Sequence, residues 1–350
     1  MGWGHSPDEG LAVPTHLLRA VLAFLVAIPG LLIASPAAAC ACGGIASNDP
    51  SARVDAETAI VSMDGTRETI DMRLSMRSVN SDAALIVPTP APATVSAGDP
   101  ALVDKYSRIS EPRTETRRHW WASSTAGDGA VAGAAAPGNA TGASDPQVLS
   151  RVQLGPLDVT TLTGGDLTGL QKWLSGNGYQ LKKAVSAALA PYVSERWSFV
   201  AIKLTSHAVL SGPLDPIRMV FDSGRIVYPM RMSVAANETQ MVDLYVVADH
   251  RQKRADADTS TQQVRTLFAG RLDDGRYLTA LQTTIVAPQS ISSDFIFADA
   301  ADDSPYQRVV YRDSDVRILG VMAGPFLVVV GLIALVIAAA AAVVALRRRT

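Results

Sequence analysis

The sequence predicts an α+β fold, with a β-rich extracytoplasmic domain, a short helical segment and one C-terminal transmembrane helix. Three observations support this prediction. An apolar stretch lies near each end of the chain, β-prone stretches fill most of the region between them, and two helical patterns occur near the middle. This order is typical of an α+β domain held at a membrane.

The composition argues against several classes of protein. The chain has 350 residues, of which 48% are hydrophobic and 18% are charged, and its formal net charge is −2. This balance gives no reason to expect a nucleic-acid partner. The two cysteines, Cys40 and Cys42, are too few for a disulfide framework and form no four-ligand zinc site with the scattered histidines. No cofactor is expected.

Residues 1–39 are predicted to be a cleavable signal peptide. Their apolar stretch, residues 20–33, follows Arg19 and would span about 21 Å as a helix, less than the roughly 30 Å core of a bilayer. The small residues at 37–39 match the cleavage site of a secretory signal. The mature chain would then begin at Cys40.

Residues 318–346 are predicted to be the transmembrane helix. This segment contains no charged residue, and residues 326–346 alone would rise about 32 Å, enough to cross a bilayer. Arginines follow directly and predict a cytoplasmic tail at residues 347–350 by the positive-inside rule. The expected location is the cell membrane, with a single pass, the N-terminal ectodomain outside and the C-terminus in the cytoplasm.

Two glycines at the start of this segment, Gly320 and Gly324, match the GxxxG pattern of closely packed membrane helices. Glycine is also common in transmembrane helices that have no such contact. The sequence leaves both interpretations open.

The predicted ectodomain, residues 40–317, begins with the clearest β pattern. Residues 59–63 are β-prone, Asp64 and Gly65 are a turn signal, and apolar residues then alternate with polar ones as far as Arg77. This pattern predicts a β-hairpin with one face exposed to water.

Two further elements are predicted in the first half of the chain. A strand at residues 83–87 should end at Pro88, because prolines at every second position deny a sheet its N–H donors. A short helix should follow at residues 99–106, with Asp99 as its N-cap.

Residues 122–147 are predicted to be a flexible insert within one composite domain. Most of them are Ala, Gly, Ser, Thr or Pro, which bury too little apolar surface to offset the entropy of ordering. The part before the insert is too short to form a stable sheet alone, so the two parts are expected to fold together.

After the insert, the spacing of apolar residues predicts helices at residues 166–174 and 182–190, the second ending at Pro191. A series of β-prone stretches then predicts strands at residues 197–204, 217–221, 225–234, 241–248, 277–286 and 294–297.

Four motifs follow one another along the ectodomain: Cys40-Ala41-Cys42-Gly43-Gly44, Ile86-Val87-Pro88-Thr89-Pro90-Ala91, Trp173-Leu174 with Asn177-Gly178-Tyr179, and Val227-Tyr228-Pro229-Met230-Arg231. Together they resemble the bacterial family of the domain of unknown function 2330, over about residues 40–297. The resemblance implies a secreted or membrane-anchored bacterial protein, often with a C-terminal transmembrane helix. It implies no catalytic residues.

Cys40 and Cys42 are the candidate disulfide or redox pair. In an oxidising compartment they could bond to each other or to another chain, although a bond across so short a loop would be strained and reducible. Cys40 could instead carry a lipid, or the pair could hold Cu(I) or another thiophilic metal with help from a further ligand. They could also be inert thiols.

Trp120 and Trp121 are the candidate interaction surface. They follow a run of basic residues: Arg113, Arg117, Arg118 and His119. An aromatic pair beside basic residues could lie at the membrane interface or stack on a glycan ring. Alternatively, the two tryptophans cover the core at the end of a strand.

The leading functional hypothesis is a non-enzymatic, membrane-anchored protein with a binding or envelope-structural role. The sequence contains no GxSxG, HExxH, SxxK or Walker motif. The expected partner is the membrane, without nucleic acid, and the sequence identifies no protein or glycan partner. The alternative is an envelope thiol redox or metal-handling protein that uses Cys40 and Cys42.

Overall fold

The structure, a computed structural model, describes residues 44–46, 53–78, 84–121, 144–179, 181–204 and 210–348. The helices among these residues are α1 (Pro100–Ile109), α2 (Leu167–Gly176), α3 (Lys183–Ser194) and α4 (Ala323–Arg347). The strands are β1 (Gly44–Ala46), β2 (Arg53–Asp64), β3 (Arg67–Ser78), β4 (Ala84–Thr89), β5 (Thr94–Ala97), β6 (Arg113–His119), β7 (Gln147–Leu154), β8 (Leu157–Thr163), β9 (Ser198–Leu204), β10 (Leu210–Pro213), β11 (Ile217–Asp222), β12 (Val227–Tyr228), β13 (Gln240–Ala248), β14 (Gln252–Arg254), β15 (Gln263–Arg271), β16 (Tyr277–Ile285), β17 (Phe295–Asp299), β18 (Tyr306–Gln307), β19 (Val309–Asp315), β20 (Arg317–Ile318) and β21 (Val321–Met322).

Two large sheets contain most of the described strands. The larger has the order β18-β15-β16-β13-β2-β3-β11-β5, with β10 also paired to β3, and the smaller has the order β1-β4-β9-β8-β7. In the larger sheet β2 and β13 run parallel. Strands that precede residues 122–147 and strands that follow them occur in both sheets. The predicted β-rich α+β fold is confirmed.

The described body has four layers. Leu85 of the smaller sheet and Ile70 of the larger belong to one buried cluster between the sheets. Helices α2 and α3 cover the other face of the smaller sheet, where Leu174 and Leu189 are buried. Helix α1 covers the other face of the larger sheet with Tyr106. Helices α1, α2 and α3 therefore each bury an apolar side against a sheet.

The predicted β-hairpin is confirmed, but the prediction that one of its faces is exposed to water is wrong. β2 and β3 pair from Asp64 and Arg67 onward, and Gly65 takes a φ of +61° in the turn between them, a conformation that favours glycine. Asp71, predicted to face water, is buried and accepts from Arg218 Nε at 2.8 Å. Helix α1 packs on this face, which the alternation of residues within the hairpin does not reveal.

The predicted helix at 99–106 is confirmed as α1, and the Asp99 side chain accepts from the N–H of Ala101 at 2.9 Å. The helix at 166–174 corresponds to α2. β4 continues through Pro88 to Thr89, beyond the residues that pair with β1. Pro88 therefore lies beyond the part of β4 that pairs with the described residues of β1, so it removes no N–H donor from that pairing.

Two other predicted boundaries are wrong. Helix α3 continues through Pro191 to Ser194. A proline in the last turn removes only one backbone hydrogen bond, near an exposed helix end, so the helix tolerates it. The strand predicted at 225–234 is limited to β12, and a 3₁₀ turn follows at Arg231–Ala235. At this point the backbone N–H groups of Met230 and Arg231 donate to a side-chain carboxylate, described below, instead of to a neighbouring strand. The backbone therefore does not continue as a strand.

Helix α4 is long and apolar enough to span a membrane. It begins at Ala323 rather than at residue 318, because β20 and β21 occupy the first residues of the predicted segment. Its 25 residues carry no charge before Arg347.

Candidate membrane-proximal site

A two-stranded parallel ribbon connects the folded body to helix α4. Strands β6 and β19 pair in register from Arg113 and Val309 to His119 and Asp315. Seven residues in each strand span about 23 Å. We call this ribbon, residues 113–119 and 309–315, the stalk.

At the body end, backbone hydrogen bonds fix the stalk to the larger sheet. The N–H of Arg113 donates to the carbonyl of Arg308 at 2.8 Å, and the N–H of Arg308 donates to the carbonyl of Leu267 at 2.8 Å. Leu267 belongs to β15, so this end of the stalk is bonded to a strand of the body.

At the other end, both strands of the stalk lead into residues that bond to the start of helix α4. The N–H of Ala323 donates to the carbonyl of Val316, and that of Gly324 donates to the carbonyl of Trp120, each at 2.8 Å. The first N–H groups of a helix have no acceptor within the helix. Here they have acceptors in the segments that follow β19 and β6, which fixes the helix to the stalk.

The absence of a side chain at Gly324 permits this close approach. A Cβ at this position would lie 2.5 Å from the carbonyl oxygen of Trp120 and 2.7 Å from the indole ring of Trp121. Both distances are far below van der Waals contact. Any larger residue would have to displace the tryptophan segment or the helix.

The structure places the predicted surface residues Trp120 and Trp121 beside the beginning of α4. Their side chains are 47% and 58% exposed, so the alternative in which they cover the core is not supported. Leu319 and Val321 are also exposed, Leu319 to 87%. We call these four residues the apolar collar. Exposed aromatic and aliphatic groups beside a helix that is long and apolar enough to span a membrane suit the interfacial layer of a bilayer.

The GxxxG match has another structural explanation. Gly320 lies outside α4, in the turn between β20 and β21, where Leu319 has a φ of +53° and Gly320 a φ of +83°. Gly324 contacts the tryptophan segment. The two glycines therefore do not form a common helical face.

The charged side chains of the stalk differ between its two faces. On one face Arg113 donates to Glu115 at 2.8 Å, and His119 Nε2 lies 2.5 Å from a carboxylate oxygen of Asp313. The Arg117 guanidinium stacks over the ring of Tyr311, 4.2 Å from its centroid. This face therefore neutralises much of its own charge.

The opposite face carries Arg118 and Arg312 without a carboxylate. The register pairs Arg118 with Ser314 and Arg312 with Thr116, and successive side chains of a strand point to opposite faces. The sequence singles out Arg118 but does not reveal Arg312, Leu319 or the contact at Gly324. Alternating residues in β19 indicate a strand, but only its parallel pairing with β6 brings Arg312 beside Arg118.

The motif Val227-Tyr228-Pro229-Met230-Arg231 lies elsewhere and is held by buried carboxylates. Glu68 accepts from the N–H of Val227 at 2.9 Å, and the Tyr228 hydroxyl donates to Glu57. Burial raises the pKa of Glu68 to about 8, so this carboxyl is mostly protonated at neutral pH. Both contacts fix β12 against β2 and β3.

Asp294 holds the second half of the same motif. It accepts from the N–H of Met230 at 2.7 Å, the N–H of Arg231 at 3.0 Å and the Arg231 Nε at 2.8 Å. The Tyr192 hydroxyl donates to it as well. Burial and the neighbouring Asp294 raise the pKa of Tyr192 well above its ordinary value.

Arg231 connects this centre to the surface. Its guanidinium donates to Glu195 at 2.5 and 2.7 Å and lies 4.4 Å from the centroid of the Tyr192 ring. The hydrogen bond from Arg231 lowers the pKa of Glu195. The polar groups of this motif are thus engaged in holding the chain, and we assign them to the fold.

A cavity of about 380 Å³ lies beside β14, β15 and β16. Its buried cation, Arg254, donates to Asp256 at 2.9 Å and to Gln262 at 2.6 Å and stacks 3.5 Å from the centroid of Phe295. These contacts occupy the guanidinium within the fold.

Cys40 and Cys42 lie outside the described residues, and the structure provides no support for the redox or metal-handling alternative. No group of three or more His, Cys, Asp or Glu side chains in the described ranges is placed to hold a metal ion.

The family model described as "Uncharacterized protein conserved in bacteria (DUF2330)" matches residues 36–298, which confirms the resemblance carried by the four motifs. No curated protein sequence matches this chain. Among solved structures, the crystal structure of baculovirus P35 is 7% identical, over 74% of this chain and 98% of that one, with a TM-score of 0.32. A likeness at this TM-score does not establish a shared fold. The family match ends before the stalk strand β19, so the stalk is not fully within the family segment.

Proposed function

The chain belongs to the bacterial family DUF2330, and we propose that it is a single-pass membrane protein whose β-rich domain lies outside the cytoplasm. The domain would act by binding a partner or by supporting the envelope, without catalysis. The observation that carries the proposal is the direct connection of the folded body, through the stalk, to an apolar helix of 25 residues.

The exposure of helix α4 supports a membrane environment. Within it only Ala323 and Gly324 are buried, and its large apolar side chains, such as Leu335 and Val336, are exposed to 69%. A helix of this length rises about 37 Å, more than the hydrocarbon core of a bilayer. An apolar surface of this size in water would favour aggregation, whereas lipid accommodates it.

The charge distribution supports the orientation. Arginines begin at residue 347, directly after the apolar residues, and basic residues favour the cytoplasmic side. The signal peptide predicted at residues 1–39, which lies outside the described residues, would place the domain on the opposite side. We propose a mature ectodomain of residues 40–317 with a surface insert at 122–147.

A binding or structural role is supported by the use of the buried polar groups in the fold. Asp294 accepts four hydrogen bonds from motif residues and Tyr192, which engage it in holding the chain. The stalk, by contrast, has exposed side chains close to the beginning of helix α4. We therefore place the functional surface at the apolar collar and at the face of the stalk that carries Arg118 and Arg312.

Extraction of membranes tests the anchoring. The full chain should stay in the membrane pellet after alkaline carbonate treatment, whereas a chain that ends at Met322 should appear in the soluble fraction. A chain that lacks only residues 347–350 is the matched control and should stay in the pellet. Release of the full chain by carbonate would contradict the proposal, whatever the truncated chain does.

A further inference from the structure

One face of the stalk carries an arginine pair without a counter-charge. This basic face consists of Thr114, Thr116, Arg118, Val310, Arg312 and Ser314, and all six residues are exposed. Arg118 and Arg312 are diagonal neighbours in the register. No carboxylate of the described residues forms an ion pair with either arginine, whereas Arg113, His119 and Arg317 each have one.

Such an arrangement favours an anion as a partner. Like charges close together on a sheet destabilise it, and binding of an anion between them removes that repulsion. A guanidinium donates several hydrogen bonds in a planar array that matches phosphate oxygens. The hydroxyls of Thr116 and Ser314, which lie opposite the two arginines, add donors for the same oxygens.

The position of the basic face along the membrane normal identifies the source of the phosphate. Trp120 follows Arg118 by two residues, a separation of about 7 Å along an extended chain. Tryptophan side chains beside a membrane helix lie at the headgroup level. Arg118 would then lie at the level of the lipid phosphates. Arg312 pairs with Thr116 and therefore lies two residues farther from Trp120, a distance that its long side chain can span by extending toward the membrane surface.

We propose that the basic face binds the phosphate groups of anionic phospholipids, with the apolar collar holding it at headgroup depth. This inference rests on the proposed membrane anchor and deepens it by naming the lipid class. It commits to lipid, rather than a soluble anion or a protein, because the face is continuous with the helix that enters the bilayer and opposite in charge to an anionic membrane surface.

Tryptophan quenching in nanodiscs tests the proposal with the full chain. Nanodiscs of phosphatidylcholine and phosphatidylglycerol are prepared in two forms, with bromine on one lipid or on the other, and quenching of Trp120 and Trp121 is compared. The W120F/W121F protein supplies the background of the other tryptophans. We expect stronger quenching by brominated phosphatidylglycerol, since it would accumulate beside the collar.

The variant R118Q/R312Q should lose this preference. The expected loss of local enrichment is roughly fivefold for each arginine, the factor that corresponds to about 1 kcal/mol per basic residue near an anionic membrane. R117Q is the matched control, because Arg117 is the neighbouring residue, lies on the opposite face and stacks on Tyr311. It should keep the preference of the wild type.

Three outcomes would overturn the proposal: equal quenching by the two brominated lipids in the wild type, an unchanged preference in R118Q/R312Q, or an equal loss in R117Q. These results are distinguishable from a failure of the membrane anchor. A chain without a membrane helix would not remain with the nanodiscs after washing with salt, and neither lipid would quench it.

Discussion

The backbone N–H of Gly324 donates to the carbonyl oxygen of Trp120, with nitrogen and oxygen 2.8 Å apart. This bond joins the first turn of helix α4 to the residue that follows β6. Together with the bond from Ala323 to Val316, it connects α4 to both strands of the stalk. A flexible linker would leave the body free to rotate relative to α4, whereas two strands bonded to one helix restrict the orientation of the body relative to that helix.

Replacement of Gly324 by valine should open this junction. The new side chain would overlap the carbonyl of Trp120 and the ring of Trp121, and overpacking of this kind costs about 1–3 kcal/mol. The matched control is G331V, because no atom lies within 4 Å of a Cβ at Gly331. Tryptic cleavage at Arg117, Arg118 and Arg317 should be faster in G324V than in the wild type or G331V. Equal cleavage rates in the three proteins would show that the junction is not close-packed.

Removal of the Asp294 charge should destabilise the body. The variant D294N would keep one carbonyl oxygen but place an NH₂ group opposite the Arg231 Nε, so the guanidinium would lose its buried acceptor and keep only Glu195, whose side chain is 45% exposed. Breaking a buried ion pair in this way typically costs about 3–5 kcal/mol. The control E115Q breaks the pair with Arg113, in which the two side chains are 44% and 64% exposed, and should cost less than about 1 kcal/mol. Thermal unfolding of the three proteins measures the difference, and a similar midpoint for D294N and E115Q would contradict the structural role of Asp294.

Glu68 should make the stability of the body depend on pH. Its carboxyl is buried, one of its oxygens lacks a hydrogen-bond partner among the described residues, and its pKa rises from 4.5 to about 8 on burial. Between these values the unfolded chain releases this proton more readily than the folded chain. The free energy of unfolding should therefore fall as pH rises through this window, by up to about 1.4 kcal/mol per pH unit, and then become level.

The variant E68Q isolates this contribution, because glutamine keeps an oxygen that can accept from Val227 but does not titrate. Relative to the wild type, E68Q should gain stability at about pH 8 and show little gain at about pH 4.5. Unfolding midpoints of both proteins across this range provide the measurement. A difference that does not change with pH would indicate that Glu68 titrates normally.

The elements predicted well are those specified by local signals. The Asp99 cap, the helical spacing of α2 and the hairpin turn at Gly65 depend on residues close together in the chain, and the structure has all three. The sequence pattern does not predict strands β7, β8 and β15, because polar residues interrupt their β patterns. Pairing with neighbouring strands stabilises them. The buried Asp71 was predicted to be exposed, since its cover comes from α1.

The candidate site shows the same limit. Its tryptophans and Arg118 could be singled out as an aromatic and basic segment, but Arg312 lies almost two hundred residues later and meets them only through the parallel pairing of the stalk. The GxxxG match suggested a helix contact, whereas the turn at Gly320 excludes it. Residues that are distant in sequence and adjacent in space require the fold, and no local pattern predicts them.

Site-specific labelling tests the proposed orientation of the chain most directly. In a C40S/C42S background, a single cysteine is introduced at exposed Lys105 in the body or at Thr350 in the tail. Intact cells are then treated with a membrane-impermeant maleimide under conditions in which the reagent reaches the outer side of the cell membrane. We predict that K105C is labelled in intact cells and that T350C is labelled only after the membrane is permeabilised. Labelling of T350C and protection of K105C in intact cells would contradict this orientation.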